Sequence, residues 1–232
     1  MKLGIMQPYF LPYMGYWQLM NLVDKYVIFD DVNYIVRGWV NRNRILLNGC
    51  PMYLTIPLSA ASKNKLINEI QVDTISKLIP KALKTIDTAY HKAPYFSGIF
   101  PMAEKILLCD KRGLVDYIIN SFILIREYLG IHSELILSSN IHKDNSLKGQ
   151  DKIIQICEIL GTDEYVNAIG GQDLYNRDEF AHKDIKLSFL RTDEIVYPQF
   201  GNDFQKNLSI LDTMMFNSKS EVKEMLTKFT II

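Results

Sequence analysis

KLGIMQPYFLPYMGYWQLMNLVDKYVIFDD, residues 2–31, is the stretch whose reading decides the fold. Lys2 to Met6 is a short apolar run that ends in Gln-Pro. Met14 to Asp24 carries apolar residues at Leu19, Met20, Leu22 and Val23, which suits an amphipathic helix better than a strand. Tyr26 to Phe29 returns to a strand-like pattern. Strand, loop, helix and strand within about 30 residues is the size of a βαβ unit. In such a unit the first loop and the end of the second strand, here Asp30-Asp31, share one edge of a parallel sheet, where ligands of open α/β sheets bind.

Working outward, Ile45 to Leu47 and Met52 to Pro57 flank Asn48-Gly49, a dipeptide that tolerates the positive φ angles of a hairpin turn. Ile67 to Val72 reads as a further strand after a polar, mobile loop from Ser59 to Lys65. Four helices are predicted, over Thr74 to Tyr90, Phe96 to Cys109, Leu114 to Leu129 and Lys148 to Leu160, with Pro80 kinking or dividing the first. Strand and helix alternate again in the last third. Ser133 to Leu137, Tyr165 to Asn167 and Ile185 to Leu190 read as strands, Gly170-Gly171 as a turn, and Arg177 to His182 as a short helix. Leu208 to Phe229 reads as two short helices parted by Asn217-Ser218. The expectation is a single α/β domain over residues 1–232 with a Rossmann-like, mostly parallel sheet. A β-hairpin makes an excursion from it, and a helical insertion at about residues 74–129 forms one wall of the cleft.

Of 232 residues, 26 are Lys or Arg and 26 are Asp or Glu, so no net field draws the chain onto nucleic acid or an anionic membrane. Any anion must be held by local residues. Cys50, Cys109 and Cys157 lie far apart among apolar neighbours and read as reduced thiols of a cytoplasmic protein. The opening lacks a signal-peptide core, and no apolar run approaches the roughly 20 residues of a membrane span. His91, His132, His142 and His182 show no metal-ligand spacing, so no metal site is expected, and the sequence names no cofactor.

Three clusters carry candidate chemistry. In the opening loop, Gln7, Tyr9, Tyr13 and Tyr16 surround two prolines and Gly15, too few glycines for a phosphate cradle but well suited to a sugar. The plainer alternative is an aromatic lid on the sheet edge. Asp30 and Asp31, at a strand end, are the candidate catalytic carboxylates, and strand alternation points only one of them inward. Arg37-Gly38-Trp39-Val40-Asn41-Arg42-Asn43-Arg44 is the densest polar recognition cluster. Its arginine forks grip phosphate or carboxylate, its asparagines donate and accept, and its tryptophan stacks on a ring.

MQPYFLPYMGYWQLM, KYVIFDDVNYIVRGWVNRNRI, YLTIPL, YHKAPYF and NAIGGQDLY follow one another as in the WbqC-like family, which the chain resembles over nearly its whole length. The resemblance implies a part in bacterial O-antigen or related surface-polysaccharide biosynthesis, and suggests the decoration of amino sugars. It assigns no catalytic residue. The opening is also similar in layout to the nucleotidylyltransferase and pantothenate-synthetase group, where the helix carries His-x-Gly-His. Here Tyr13 and Tyr16 stand where those histidines would lie, with Gly15 retained, so the likeness supports the sheet more than ATP chemistry.

The leading expectation is an enzyme that forms an amide on a nucleotide-linked amino sugar, with the acyl donor unidentified. Gln7, Tyr9, Tyr13, Gly15 and Tyr16 would line the sugar pocket. Arg37, Arg42, Asn41 and Asn43 would hold a diphosphate or donor carboxylate, with Trp39 stacking. Asp30 or Asp31 would accept the amine proton, and Gly170 and Gly171 would admit the ligand close to the backbone. The rivals are a nucleotidylyltransferase-like enzyme using ATP and a non-catalytic protein that binds a sugar nucleotide.

Overall fold

Residues 1–201 and 203–232 are described in a computed structural model. β1 (Lys2–Met6), α1 (Met14–Leu22) and β2 (Lys25–Ile28) form the opening unit, and β1 pairs β2 in parallel with Gly4 opposite Tyr26. β3 (Arg42–Leu47) and β4 (Cys50–Thr55) make the hairpin. Asn48 and Gly49 have φ of 51° and 75°, the doubly left-handed turn that matches strand twist. β5 (Leu58–Ser59) pairs with β6 (Gln71–Val72), and α2 (Leu78–Tyr90), α3 (Phe96–Leu107) and α4 (Leu114–Leu129) follow. The chain then continues through β7 (Glu134–Leu137), α5 (Gly149–Leu160), β8 (Glu164–Ala168), α6 (Arg177–Ala181) and β9 (Lys186–Thr192). It closes with α7 (Ile210–Phe216), α8 (Lys219–Met225) and β10 (Phe229–Ile231).

The main sheet runs β10-β9-β8-β1-β2-β7. Its first five strands in chain order are mutually parallel, and β10 is an antiparallel edge. The fold is therefore mixed α/β with a mostly parallel central sheet. Alternation along the strands splits the core between two faces. Leu3, Ile5, Val27, Tyr165, Leu187 and Phe189 pack with Ile153, Ile156 and Cys157 of α5 and Phe180 of α6. Tyr26, Ile28, Val166 and Leu190 face the other way, onto a cluster that holds Trp17 and Leu19 of α1 and Phe122 of α4. Among the described residues no helix is long and apolar enough to cross a membrane.

Several elements differ from the expectation for local reasons. The first long helix begins at Leu78, which puts Pro80 in its first turn, where a missing N–H forfeits no helical hydrogen bond; no division follows. Ile67 to Val72 is not one strand. The Glu69 carboxylate accepts from the Leu66 N–H at 2.7 Å and closes a 3₁₀ turn over Ile67–Glu69, leaving only Gln71–Val72 extended. The polar loop from Ser59 starts inside β5. The tail ends in a strand, β10, rather than in helix, because Phe229–Ile231 finds the open edge of β9.

Asp212 of α7 is fully buried, yet its carboxylate is well supplied: the Tyr90 and Tyr197 hydroxyls donate at 2.8 and 2.7 Å and the Gln199 amide at 2.7 Å. Burial pushes its carboxyl pKa above the ordinary value, although those hydrogen bonds pull the other way. Tyr90 also accepts the Leu46 N–H at 2.9 Å and so ties the hairpin to α2 and α7. Tyr90→Phe strands a buried amide and removes a donor from Asp212. The expected loss is about 2 kcal/mol, read as a lower urea midpoint at unchanged slope.

Candidate functional site

A cleft of about 850 Å³ opens at the carboxyl ends of β1, β8 and β9. Its floor is Ile5 and Met6 of β1, Asn167 and Ala168 of β8, and Leu190, Arg191 and Thr192 of β9. Strand order reverses between β1 and β8: later strands add on one side of β1 as β2 and β7, then on the other as β8 and β9. The helical connections diverge there and leave the crevice in which ligands of open α/β sheets sit. Gln7, Tyr9, Tyr13 and Gly15 close one side, and Trp39, Asn43 and Arg44 another. The far side is Gly149 and Gln150 at the start of α5 and the 3₁₀ turn Ile169–Leu174.

The opening loop holds its shape because several of its carbonyls are anchored by buried side chains. Gln7 O accepts from the Tyr16 hydroxyl at 2.9 Å and Pro12 O from the Trp17 indole at 3.0 Å. Phe10 O and Leu11 O accept from the Asn43 amide at 3.2 and 3.0 Å, and Leu11 O also from the Ser209 hydroxyl at 2.8 Å. These bonds hold Leu11 at φ 44°, a left-handed conformation costly for a branched residue. Gly15 is required by crowding: a Cβ there would stand 2.6 Å from the Thr192 hydroxyl and 2.7 Å from the Tyr13 ring. Gly171 is likewise tight, 3.2 Å from the Asn167 amide, whereas Gly170 opens onto empty space.

The cleft is cationic and aromatic. Arg44 and Arg191 line it, and neither has an ion pair among the described residues. Arg44 lies 5.8 Å over the Trp39 ring and donates to Asn207 O at 3.2 Å, while its buried Nε has no partner among the described residues. The start of α5 adds backbone N–H groups, because Lys148 at its N-cap supplies no side-chain cap. Burial raises the pKa of Tyr9, Tyr13 and Tyr175, so their hydroxyls stay protonated donors. Among the described residues the lining contains no Asp, Glu, His, Lys or Cys.

Gln7, Tyr9, Tyr13, Gly15, Trp39, Asn43, Gly170 and Gly171 thus meet at one cleft. Tyr16 does not line it; it is buried beneath the loop as a clamp. Asn41 is likewise internal, accepting from the Tyr34 hydroxyl at 2.8 Å and donating to Ile56 O at 2.9 Å. Arg37 is exposed at φ 61°, and Arg42 packs 4.2 Å over Tyr53 while donating to the Gly38 and Arg37 carbonyls. No residue of α2, α3 or α4 contributes to the lining, so the helical insertion is not a wall of this cleft.

Asp30 and Asp31 also lie outside the lining. Asp30 is buried and accepts from the Ser139 N–H at 2.9 Å and its hydroxyl at 2.6 Å, which fastens the end of β2 to the turn after β7. Asp31 pairs with Lys143 at 2.8 Å and Lys152 at 3.0 Å, both side chains buried, and the Lys152 ammonium sits 5.4 Å over the Phe29 ring on the cleft wall. Both carboxylates are engaged away from the cleft lining.

A model of the WbqC-like protein family matches residues 7–224. The chain belongs to the WbqC-like family. A similar protein is an uncharacterized one of Mycobacterium tuberculosis (strain ATCC 25618 / H37Rv), Rv1507c, 25% identical over 229 residues that cover 97% of each chain. No solved structure matches. Nearly the whole cleft of this WbqC-like protein falls within the matched span, from Gln7 to Asn207, with only Ile5 and Met6 before it. Sequence reasoning passes over Arg191, Thr192, Gln150, Tyr175 and Asn207, which stand far apart in the chain. Arg44 lies inside the cluster read from sequence, and it lines the cleft beside Asn43 whereas Arg42, on the same face of β3 by alternation, does not.

For Asp31, burial pushes the carboxyl pKa up, but hydrogen bonds from Lys143 and Lys152 and the charge of Lys143 help to outweigh it and the net shift is downward. A carboxylate with a depressed folded pKa stabilises the protein above its unfolded value and loses that contribution as pH falls through the folded one. Asp31→Asn is therefore expected to destabilise strongly at pH 7, where two buried ammonium groups lose their counter-ion. The difference from wild type should shrink as pH drops below about 4. Equilibrium denaturation across that range checks it; a gap independent of pH would contradict the charge account.

Proposed function

We propose that this protein binds a nucleotide-linked amino sugar in the cleft and forms an amide on its amine by taking the acyl group of an activated acyl donor, whose leaving group departs as the C–N bond forms, within bacterial O-antigen or related surface-polysaccharide biosynthesis. The observation that carries the reading is the pair Arg44 and Arg191, without ion-pair partners among the described residues, in an aromatic lining that holds no carboxylate among them. A diphosphate supplies the charge such a lining lacks, and guanidinium forks bind it in paired hydrogen bonds. Trp39 stacks on the base or sugar, and Tyr9, Tyr13 and Gln7 donate to sugar hydroxyls. The uncapped start of α5 favours the same anion. The strand order, with its reversal beside β1, supports a Rossmann-like sheet and a nucleotide at this edge. Membership of the WbqC-like family supports the polysaccharide pathway.

A second reading, a carrier that binds a sugar nucleotide without turnover, is favoured by one observation. The cleft lining offers no general base among the described residues. Mass spectrometry of a mixture of protein, amine-bearing sugar nucleotide and acyl donor separates the two: an amide product supports the transferase, and binding without product supports the carrier.

Calorimetric titration of UDP and dTDP tests the anion site shared by both readings. Arg44→Ala and Arg191→Ala should each weaken binding about tenfold, and raised salt should weaken the wild type more than either variant. Equal affinity in all three proteins would remove the arginines from the site.

A further inference from the structure

A second cavity, of about 410 Å³, adjoins the cleft. The two share Tyr13, Gly15, Thr192 and Asn207, so a ligand lying in one reaches the other past the Tyr13 ring. Gly15 is what leaves that passage: any side chain there would strike both Tyr13 and Thr192. Thr192 is fixed in turn by donating to the Gln18 side chain at 2.7 Å, and Gln18 donates to the carbonyls of Met225 and Lys228 at 2.7 and 2.9 Å. The junction is a rigid feature of the fold.

The charge reverses across it. Where the cleft carries Arg44 and Arg191, the side chamber carries the solvent-exposed Asp193 and Glu194 at its rim, with Lys206 as its one lining cation among the described residues. Asp193 is oriented by the Thr230 hydroxyl, which donates to it at 2.8 Å, while Glu194 and Lys206 have no ion pair among the described residues. The inner wall offers hydroxyls. Tyr197 donates to buried Asp212 at 2.7 Å and lies 3.2 Å from the Thr213 hydroxyl, and both Tyr197 and Thr213 line the chamber. Ile195, Phe204 and Leu208 supply apolar surface for a sugar ring.

We propose that the side chamber is the subsite for the amine-bearing end of the ligand, where Asp193 and Glu194 pair with the primary ammonium and one of them takes its proton when the amide forms, while the anionic end stays in the cleft at Arg44 and Arg191. The inference rests on the sugar-nucleotide reading and extends it, because it states where the amine lies and which groups distinguish it from a hydroxyl. A ligand with an anion at one end and an ammonium at the other matches both linings at once; a neutral sugar offers the chamber carboxylates no charge partner.

Calorimetry on the full chain with UDP and dTDP, their glucose-linked forms and the corresponding amine-bearing forms tests this. The amine-bearing forms should bind about fivefold tighter than the glucose forms, and the preference should vanish in the D193N/E194Q variant with nucleoside-diphosphate affinity unchanged. Asp193→Asn keeps an acceptor for the Thr230 hydroxyl, and Glu194→Gln alone provides a version that leaves that bond untouched. Equal binding of amine and glucose forms, or a preference that survives the double variant, would overturn the chamber assignment while leaving the anion site standing. Failure of every diphosphate to bind would overturn both.

Discussion

The constraint on which the rest depends is the anchoring of the loop between β1 and α1. With the carbonyls of Gln7, Phe10, Leu11 and Pro12 all accepting hydrogen bonds from side chains, shifting this backbone would leave buried donors and acceptors unpaired. The donors come from three places: Tyr16 and Trp17 on α1, Asn43 on the hairpin, and Ser209 before α7. One loop thereby sets the distance between sheet edge, hairpin and carboxyl-terminal helices, and the cleft is the space left between them. Tyr9 and Tyr13 face that space because the residues flanking them, Phe10, Leu11 and Pro12, are held inside.

Electrostatics follow from where the acids are used. Asp30 accepts from Ser139, one oxygen of Asp31 is held by two lysines and Asp212 accepts from two tyrosines and a glutamine, so these carboxylates are engaged within the scaffold. Arg44 and Arg191 are left facing the cleft without counter-ions among the described residues. A net charge of zero for the chain thus conceals an uneven edge, with Arg44 and Arg191 in the cleft and Asp193, Glu194 and Lys206 in the adjoining chamber.

Much of the fold is legible in the sequence because its signals are local. Asn48-Gly49 dictates its turn wherever it stands, and the apolar spacing of Leu114–Leu129 fits one amphipathic helix. Most of what is not legible depends on distant partners. Phe229–Ile231 becomes a strand only because β9 has an open edge, whereas the turn at Ile67–Glu69 is a local capping contact of Glu69 with the Leu66 amide. The site divides in the same way. Trp39, Tyr9 and Tyr13 stand out by residue type, but nothing local reveals that Asp30 and Asp31 are enclosed by Ser139, Lys143 and Lys152, each more than 100 residues away. Asn41 and Arg42 sit among the same polar neighbours as Asn43 and Arg44; only packing distinguishes the residues that face the cleft.

The central claim is that ligand is held at the carboxyl ends of β1, β8 and β9. Amide hydrogen exchange on the full chain, with and without a dTDP- or UDP-linked amino sugar, tests it most directly. Slowed exchange in residues 7–15, 149–151 and 169–174 is the predicted result, since these segments border the cleft. Protection confined to residues 30–33 and 138–143, around the aspartate and lysine cluster, would contradict it and return the site to Asp30 and Asp31.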